Sequence, residues 1–446
     1  MSGTQTKIAI IGGGIAGSTT ALLLAHAGMR VTLFEAKQSL VSGPPFCHLH
    51  AGGNLYPDIS DEQCLTLLEQ SIDFARLYPN GVDHRPTIIA LPKACSKNTQ
   101  HLLPRLEKLR SRYRELIEQD PKNRVLGDPE TYFRLYDRQT IERIAKQPFE
   151  AKPHTPEAWL VPFAKEVDLD TIQFPVIMVQ EYGLNLFRIG ARLMLSMQQH
   201  PNVSLRLSTA VKGVSHQRNV WHIGTNTEQS KTETFDYLIN AAGYQTGKID
   251  DMVGLSCERM VEFKAAYVTK WKQESEHLWP EIIFHGERGT PRGMGQFTPY
   301  PGGHFQLHGM TKAITLYEEG LVANTPQSCQ PQLPQTLIEK IEHDWQWSET
   351  VERTQNAITH LARFIPSFTS ADVASKPLFG AQQIPGNDPS LRVAEVAFPT
   401  SRYARCEIVK VSSVIDMAEA ILDDLAKEKL YTATIPMQTL LEQIPL

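Results

Sequence analysis

Basic charge is in short supply: 44 Lys plus Arg stand against 49 Asp plus Glu in 446 residues, a formal charge of −5. Without a cationic excess the chain has little with which to neutralise a phosphate backbone, so no nucleic-acid partner is expected. Cysteine is scarce as well. The six residues, Cys47, Cys64, Cys95, Cys257, Cys329 and Cys406, form no CxxC pair. That pattern argues against a disulfide framework or a zinc knuckle, predicts no metal site, and fits a reducing, cytoplasmic setting. Long unbroken apolar runs are missing too. The uncharged stretch 8–25 is interrupted by Gly12, Gly13, Gly14 and Gly17, so neither a signal sequence nor an integral membrane segment is expected there. No internal repeat or low-complexity tract is visible. With 41% hydrophobic residues, the chain can bury at least one full core and is expected to form two lobes.

The first forty residues carry the most specific pattern. Lys7-Ile8-Ala9-Ile10-Ile11 is a short β-branched apolar run of the kind buried on both faces of a parallel sheet. Gly12-Gly13-Gly14-Ile15-Ala16-Gly17 follows at once, then an Ala- and Leu-rich helical segment over 18–27 that Gly28 should stop. In this strand, turn, helix order the glycines have separate tasks. Gly12 permits the tight turn, Gly14 lets backbone approach a pyrophosphate, and Gly17 lets the helix pack close to the sheet. The amides at the helix start, including those of Ile15 and Ala16, then face the phosphates. Glu35 stands 23 residues past Gly12, followed by Ala36, at the end of a second strand. A carboxylate there accepts hydrogen bonds from the ribose hydroxyls of an adenosine and disfavours a 2′-phosphate.

The fingerprint alone does not separate NAD from FAD. No second GxGxxG exists, since Gly293-Met294-Gly295 lacks the third glycine, so one dinucleotide is expected. Residues 235–243 read as a further buried strand ending in the small residues Ala241, Ala242 and Gly243. Together with His50-Ala51-Gly52, Gln180-Glu181-Tyr182-Gly183, Thr209-Ala210-Val211 and Lys410-Val411-Ser412-Ser413, these segments stand in the order found in one family. The chain resembles the FAD-dependent oxidoreductases of the D-amino-acid oxidase type, which include sarcosine, glycine and 2-hydroxyglutarate oxidases. The resemblance implies FAD as cofactor, with Val211 meeting the adenine end through its backbone and Ala241, Ala242 and Gly243 lying against the cofactor. It also implies flavin contacts from His48, Leu49 and Val411.

The fold class expected is α/β, a Rossmann-like FAD-binding domain of the glutathione-reductase type with an interleaved antiparallel-sheet substrate domain. Residues 1–78, 181–258 and 373–446 are assigned to the first and 79–180 and 259–372 to the second. A charged stretch over 93–152 has apolar residues at helical spacing. Residues 261–268, 295–300 and 304–308 read as strands, the last two forming a hairpin about Pro301-Gly302-Gly303, with 79–92 and 155–180 joining the same sheet. Residues 405–413 are expected to open a C-terminal helix.

Flavin carries the redox chemistry, so the protein must bind substrate, set its protonation state and hold the donor carbon against the ring. That requires an anion clamp and a base. His50 resembles the His of the 2-hydroxyglutarate oxidases; it reads either as a base for a hydroxyl or ammonium proton or as a hydrogen-bonding partner of the flavin. Lys410 matches a lysine that contacts the substrate carboxylate in sarcosine oxidase and is the expected anchor. Arg259, Arg288, Arg292 and Arg402 are further candidates for carboxylate recognition, and Tyr267 and Tyr300 are either active-site hydroxyls or packing residues.

Two departures from the family stand out. Arg405-Cys406-Glu407 replaces the glycines usual before the lysine, and Gln306 stands where sarcosine oxidase has a lysine that assists oxygen. Residues 394–398 hold no cysteine to tether flavin, so non-covalent FAD is expected, with a histidyl bond through His48 or His50 as the alternative.

The function expected is removal of a hydride from the amine- or hydroxyl-bearing carbon of a small carboxylate substrate, with oxygen or another electron acceptor. The alternatives are a 2-hydroxy-acid dehydrogenase serving a quinone or electron-transfer protein, and a FAD-binding assembly or sensor protein without turnover, its site closed by Arg405, Cys406 and Glu407.

Overall fold

Alternation decides where the first strand goes. In Lys7–Ile11, Ile8 and Ile10 join one core with the helix Ile15–His26, while Ala9 and Ile11 join another beneath a small three-stranded sheet. A strand buried on both faces has to be apolar at every position, and four of its five residues are buried. The computed structural model describes residues 5–41, 46–49, 59–226, 232–272, 277–432 and 435–444.

That strand lies within a six-stranded sheet ordered Val396–Thr400, Tyr403–Cys406, Tyr237–Asn240, Lys7–Ile11, Arg30–Phe34, Val203–Arg206. All neighbours are parallel except the first pair. The helices Ile15–His26 and Val414–Lys427 pack together on one face, and the antiparallel strands Val211–Gln217, Val220–Thr225 and Glu233–Phe235 cover the other. This is the Rossmann-like arrangement expected.

A ten-stranded, mostly antiparallel sheet forms the second body. Its long central strand Arg259–Lys270 pairs with His304–Gly309 and with Leu378–Pro385. The hairpin Gly295–Tyr300 to His304–Gly309 forms in register around Pro301–Gly303, where Gly302 and Gly303 take positive φ. Phe263, Tyr267, Phe297, Phe305 and Phe368 build its core. Among the described residues no helix is long and apolar enough to cross a membrane.

Three local expectations are corrected. The stretch 93–152 holds the helices Leu103–Gln119 and Arg138–Ile144, but Phe133–Tyr136 between them is a strand at the edge of the large sheet, paired with Val176–Val179. Phe133 and Tyr136 are buried there, which outweighs the helix-favouring charge around them. Within 155–180 only Val176–Val179 is a main strand of that sheet; Pro156–Glu166 is a helix, started by Thr155, whose hydroxyl accepts from Ala158 N at 3.1 Å. Residues 405–413 do not open the last helix. Arg405 and Cys406 end a buried strand, and the α-helix begins at Val414 after a short 3₁₀ turn, Val411–Ser413.

Candidate active site

The glycine turn is held by contacts that leave no room for side chains. A Cβ on Gly12, whose φ is +108°, would lie 2.2 Å from Ala241 O, and one on Gly17 would lie 2.0 Å from Gly12 O. Gly14 differs: nothing lies within 4 Å of its Cβ position. It is the N-cap of the helix Ile15–His26, and no side chain caps that helix. Uncapped amides at Ile15 and Ala16 beside open space form a cradle for an anion, the fit a pyrophosphate needs.

Glu35 follows the second strand as expected. Its Oε2 accepts from Gly13 N and its Oε1 from Lys37 N, both at 2.7 Å, which aims the carboxylate along the rim of the turn while lone pairs remain for a ribose. Ala36 is exposed beside it. The segment leading to Val211 runs alongside, since Thr209 N donates to Glu35 O at 2.8 Å. Ala241 N donates to Ile11 O at 2.8 Å, so Ala241, Ala242 and Gly243 sit next to the glycine turn. The structure thus gathers Gly12, Gly14, Gly17, Glu35, Val211 and Ala241–Gly243 into one region.

A cavity of about 450 Å³ opens between the large sheet and two segments of the nucleotide-binding half, the strand Phe46–His48 and the turn before Val411–Ser413. Cys47, His48, Lys410 and Val411 line one side; Lys264, Gln296, Thr298, Gln306 and His308 line the other. Leu49 is fully buried behind it, its amide donating to Tyr182 O at 2.8 Å. His50, Ala51 and Gly52 lie outside the described residues.

His48 is held from two sides. Its Nε2 lies 2.7 Å from Glu181 Oε1 and its Nδ1 3.3 Å from Glu281 Oε2, with both carboxylates fully buried. Burial alone would lower the imidazole; Glu181 and Glu281 outweigh it and push it up to about 10. Burial raises Glu281 in turn, but His48 and Arg85, whose Nη2 is 3.4 Å away, hold it well below the ordinary carboxylate range. Thr298 also donates to Glu281 Oε1 at 3.0 Å. His48 is therefore a fixed imidazolium, able to donate or to offer positive charge, and unsuited to accept a proton.

Cationic groups surround the rest of the cavity. Lys410 is half-buried; burial first, then the positive charges of Arg392 and Lys264, press its ammonium well below the usual lysine range. Lys264 is lowered by burial despite Glu262 at 2.9 Å, and Glu262 also pairs with Arg288. Of the arginines proposed from sequence, Arg288 lines the cavity. Arg259 is buried against Glu407 at 3.0 Å, Arg402 pairs with Glu428 at 3.4 Å and Arg292 is exposed. Tyr267 hydrogen-bonds Tyr317 within the sheet core. Tyr300 reaches the cavity indirectly, through Gln306. Sequence reasoning missed Arg392 and Lys264; the second carries a usable signal, a lysine paired with Glu262 two residues before it inside a long, mostly buried strand.

The bulky residues before Lys410 do not close the site. Arg405 Nε donates to Glu407 Oε1 at 2.6 Å and its Nη1 to Asp250 Oδ2 at 3.1 Å. Asp250 also accepts from Tyr403. These side chains turn into a buried ionic cluster behind the strand, and Val409, Lys410 and Val411 face the cavity.

Residues 7–168 match the sequence model of the family described as FAD dependent oxidoreductase. The match spans the glycine turn and Glu35, and the open cradle at Gly14 fits the pyrophosphate of FAD. No curated protein sequence matches the chain. Among solved structures, glycine oxidase from Geobacillus kaustophilus is similar at 13% identity, with 98% of each chain covered and a TM-score of 0.56. L-proline dehydrogenase from P. horikoshii is similar at 14% identity, covering 97% of this chain and 96% of that one, with a TM-score of 0.59. L-alpha-glycerophosphate oxidase from Mycoplasma pneumoniae, solved with FAD bound, is similar at 13% identity, covering 97% of each, with a TM-score of 0.54. At these identities the likeness speaks for the fold.

Proposed function

We propose that the protein oxidises a small carboxylate-bearing substrate at a carbon carrying an amine or a hydroxyl. The carrying observation is the cavity itself, which Lys264, Arg288, Arg392 and Lys410 line together with Cys47 and His48 of the strand Phe46–His48. Bound FAD supplies a two-electron acceptor. The chain's residues supply the rest. Lys410, with Arg392 beside it, anchors the carboxylate, and binding the anion relieves the repulsion among these half-buried cations. His48 keeps a fixed positive charge at the cavity wall. The donor carbon loses hydrogen with its electron pair, the heteroatom loses a proton, and the product is an imine or a keto acid. His50 is the candidate proton acceptor.

Gly12, Gly14, Ile15, Ala16 and Gly17 are assigned to the pyrophosphate, Glu35 and Ala36 to the ribose, Val211 to the adenine end, and Ala241, Ala242, Gly243, His48, Leu49 and Val411 to the rest of the cofactor. The division into an FAD-binding half and an interleaved substrate half belongs to the same proposal, with the strand Leu378–Pro385 moved to the substrate half because it pairs with Arg259–Lys270. Six free thiols support a cytoplasmic setting.

The FAD-loaded protein, held without oxygen, should lose its visible flavin absorbance when the right acid is added. A panel of amino, N-methylamino and 2-hydroxy acids that leaves the colour untouched would refute the substrate class. Oxygen uptake compared with dye reduction then identifies the acceptor.

A further inference from the structure

Outside the cavity, two thiols meet beside the buried Asp250. Cys257 lies in the irregular segment 255–258 that leads into the strand Arg259–Lys270, and Cys329 follows the turn after the strand Leu321–Ala323. Their sulfurs lie within 4.8 Å of each other and of an Asp250 carboxylate oxygen, and the two thiols share a hydrogen bond. Cys329 is anchored. Its amide donates to Asp251 Oδ1 at 2.6 Å and its thiol to Leu255 O at 3.1 Å, and its carbonyl packs so closely on Gly247 that a Cβ there would lie 2.3 Å from it. Asn324 joins the two segments: its Nδ2 donates to Cys257 O at 2.9 Å and to Ser328 O at 3.0 Å. Cys329 is buried and Cys257 is part-exposed, so Cys257 is the one open to solvent, with room to turn the last distance to a bonded sulfur.

Two thiols and a carboxylate are also ligand types for a soft metal ion. Here the carboxylate is engaged elsewhere. Asp250 Oδ1 accepts from the Tyr403 hydroxyl at 2.5 Å and Oδ2 from Arg405 Nη1 at 3.1 Å, and a guanidinium in that position repels a cation. That leaves two sulfurs facing each other.

We infer that Cys257 and Cys329 form a site of reversible oxidation, which closes into a disulfide when hydrogen peroxide reaches the protein. The Cys257 thiol takes one oxygen from peroxide, whose other oxygen leaves as water, and becomes a sulfenic acid. The Cys329 sulfur then attacks the Cys257 sulfur; the S–S bond forms as the S–O bond breaks, and the hydroxyl leaves with the Cys329 proton as a second water. Two thiols lose two electrons and two hydrogens, and one peroxide becomes two waters. Burial and the adjoining Cys257 thiol push Cys329 up to about 12, so it keeps its proton until that second step. The bond would tie the segment entering the long central strand to the segment leaving Leu321–Ala323, two strands that already pair.

The test treats the FAD-loaded full chain with hydrogen peroxide, alkylates the remaining thiols and maps the cysteines by mass spectrometry without reductant. In the wild type the peptides of Cys257 and Cys329 should be joined, and dithiothreitol should return both thiols. Cys329→Ser should leave Cys257 carrying oxygen as a sulfinic acid, and Cys257→Ser should leave Cys329 reduced. Wild-type protein that gains oxygen at Cys257 with no link, links either residue to another cysteine, or keeps both thiols reduced overturns the inference. Zinc that copurifies with the wild type, blocks the link and is lost in Cys329→Ser overturns it as well and makes the cluster a metal site.

Discussion

Replacing His48 with Gln should cost about 3–5 kcal/mol near neutral pH, the range for removing one partner of a buried ionic cluster. The figure follows from the site. Glu181 and Glu281 are fully buried, and the imidazolium between them lies at 2.7 and 3.3 Å. Without it Arg85, 3.4 Å from Glu281, is the remaining cation in this contact. The pH dependence is the sharper test. The folded value is raised from 6.5 to about 10, so the contribution is complete below pH 6.5 and is shed as pH climbs toward 10. The slope over that window is at most about 1.4 kcal/mol per pH unit. Urea unfolding of wild type and His48→Gln, followed by tryptophan fluorescence from pH 6 to 9.5, should show a gap that narrows steadily as pH rises. Equal stability at pH 7, or a gap that stays constant across the range, would refute the fixed imidazolium.

Other outcomes follow from the same contacts. Gly17→Val should prevent folding or leave the protein insoluble, because its Cβ would lie 2.0 Å from Gly12 O; soluble variant with wild-type melting behaviour would count against the tight turn. Lys410→Met should weaken binding of the acid that bleaches the flavin by about 10–100-fold, the loss of one charge-assisted hydrogen bond, measured as Kd with FAD content unchanged. Asp250→Ala strips Tyr403 and Arg405 of a buried acceptor and should cost about 3–5 kcal/mol by denaturant unfolding. Its combination with Arg405→Met should recover part of that loss.

Much of the nucleotide-binding unit was legible because its constraints are local. Gly12, Gly14, Gly17, Gly28 and Glu35 fall within a single strand, turn, helix, strand passage, and the hairpin around Pro301–Gly303 is bounded by its own turn residues. The cavity was less legible because its contacts join distant parts of the chain. Nothing near His48 in sequence announces Glu181 or Glu281, and only folding brings both carboxylates to its ring. Residues 405–413 read as a helix opening because Arg405 and Glu407 look like surface residues. They are buried, and Asp250 and Arg259 complete the charge around them. Phe133–Tyr136 was hidden by charged neighbours of helical composition, and its place was decided by pairing with Val176–Val179.

The central claim is that the turn from Gly12 to Gly17 holds the pyrophosphate of one FAD. Titration of flavin-free protein with FAD, read by quenching of flavin fluorescence, tests it directly. The prediction is one equivalent bound by the wild type. Gly14→Val should keep the wild-type unfolding profile, since its Cβ meets no protein atom within 4 Å, while FAD uptake is lost because the side chain fills the cradle. A wild type that takes up no FAD, or a folded Gly14→Val that binds it unimpaired, would contradict the account.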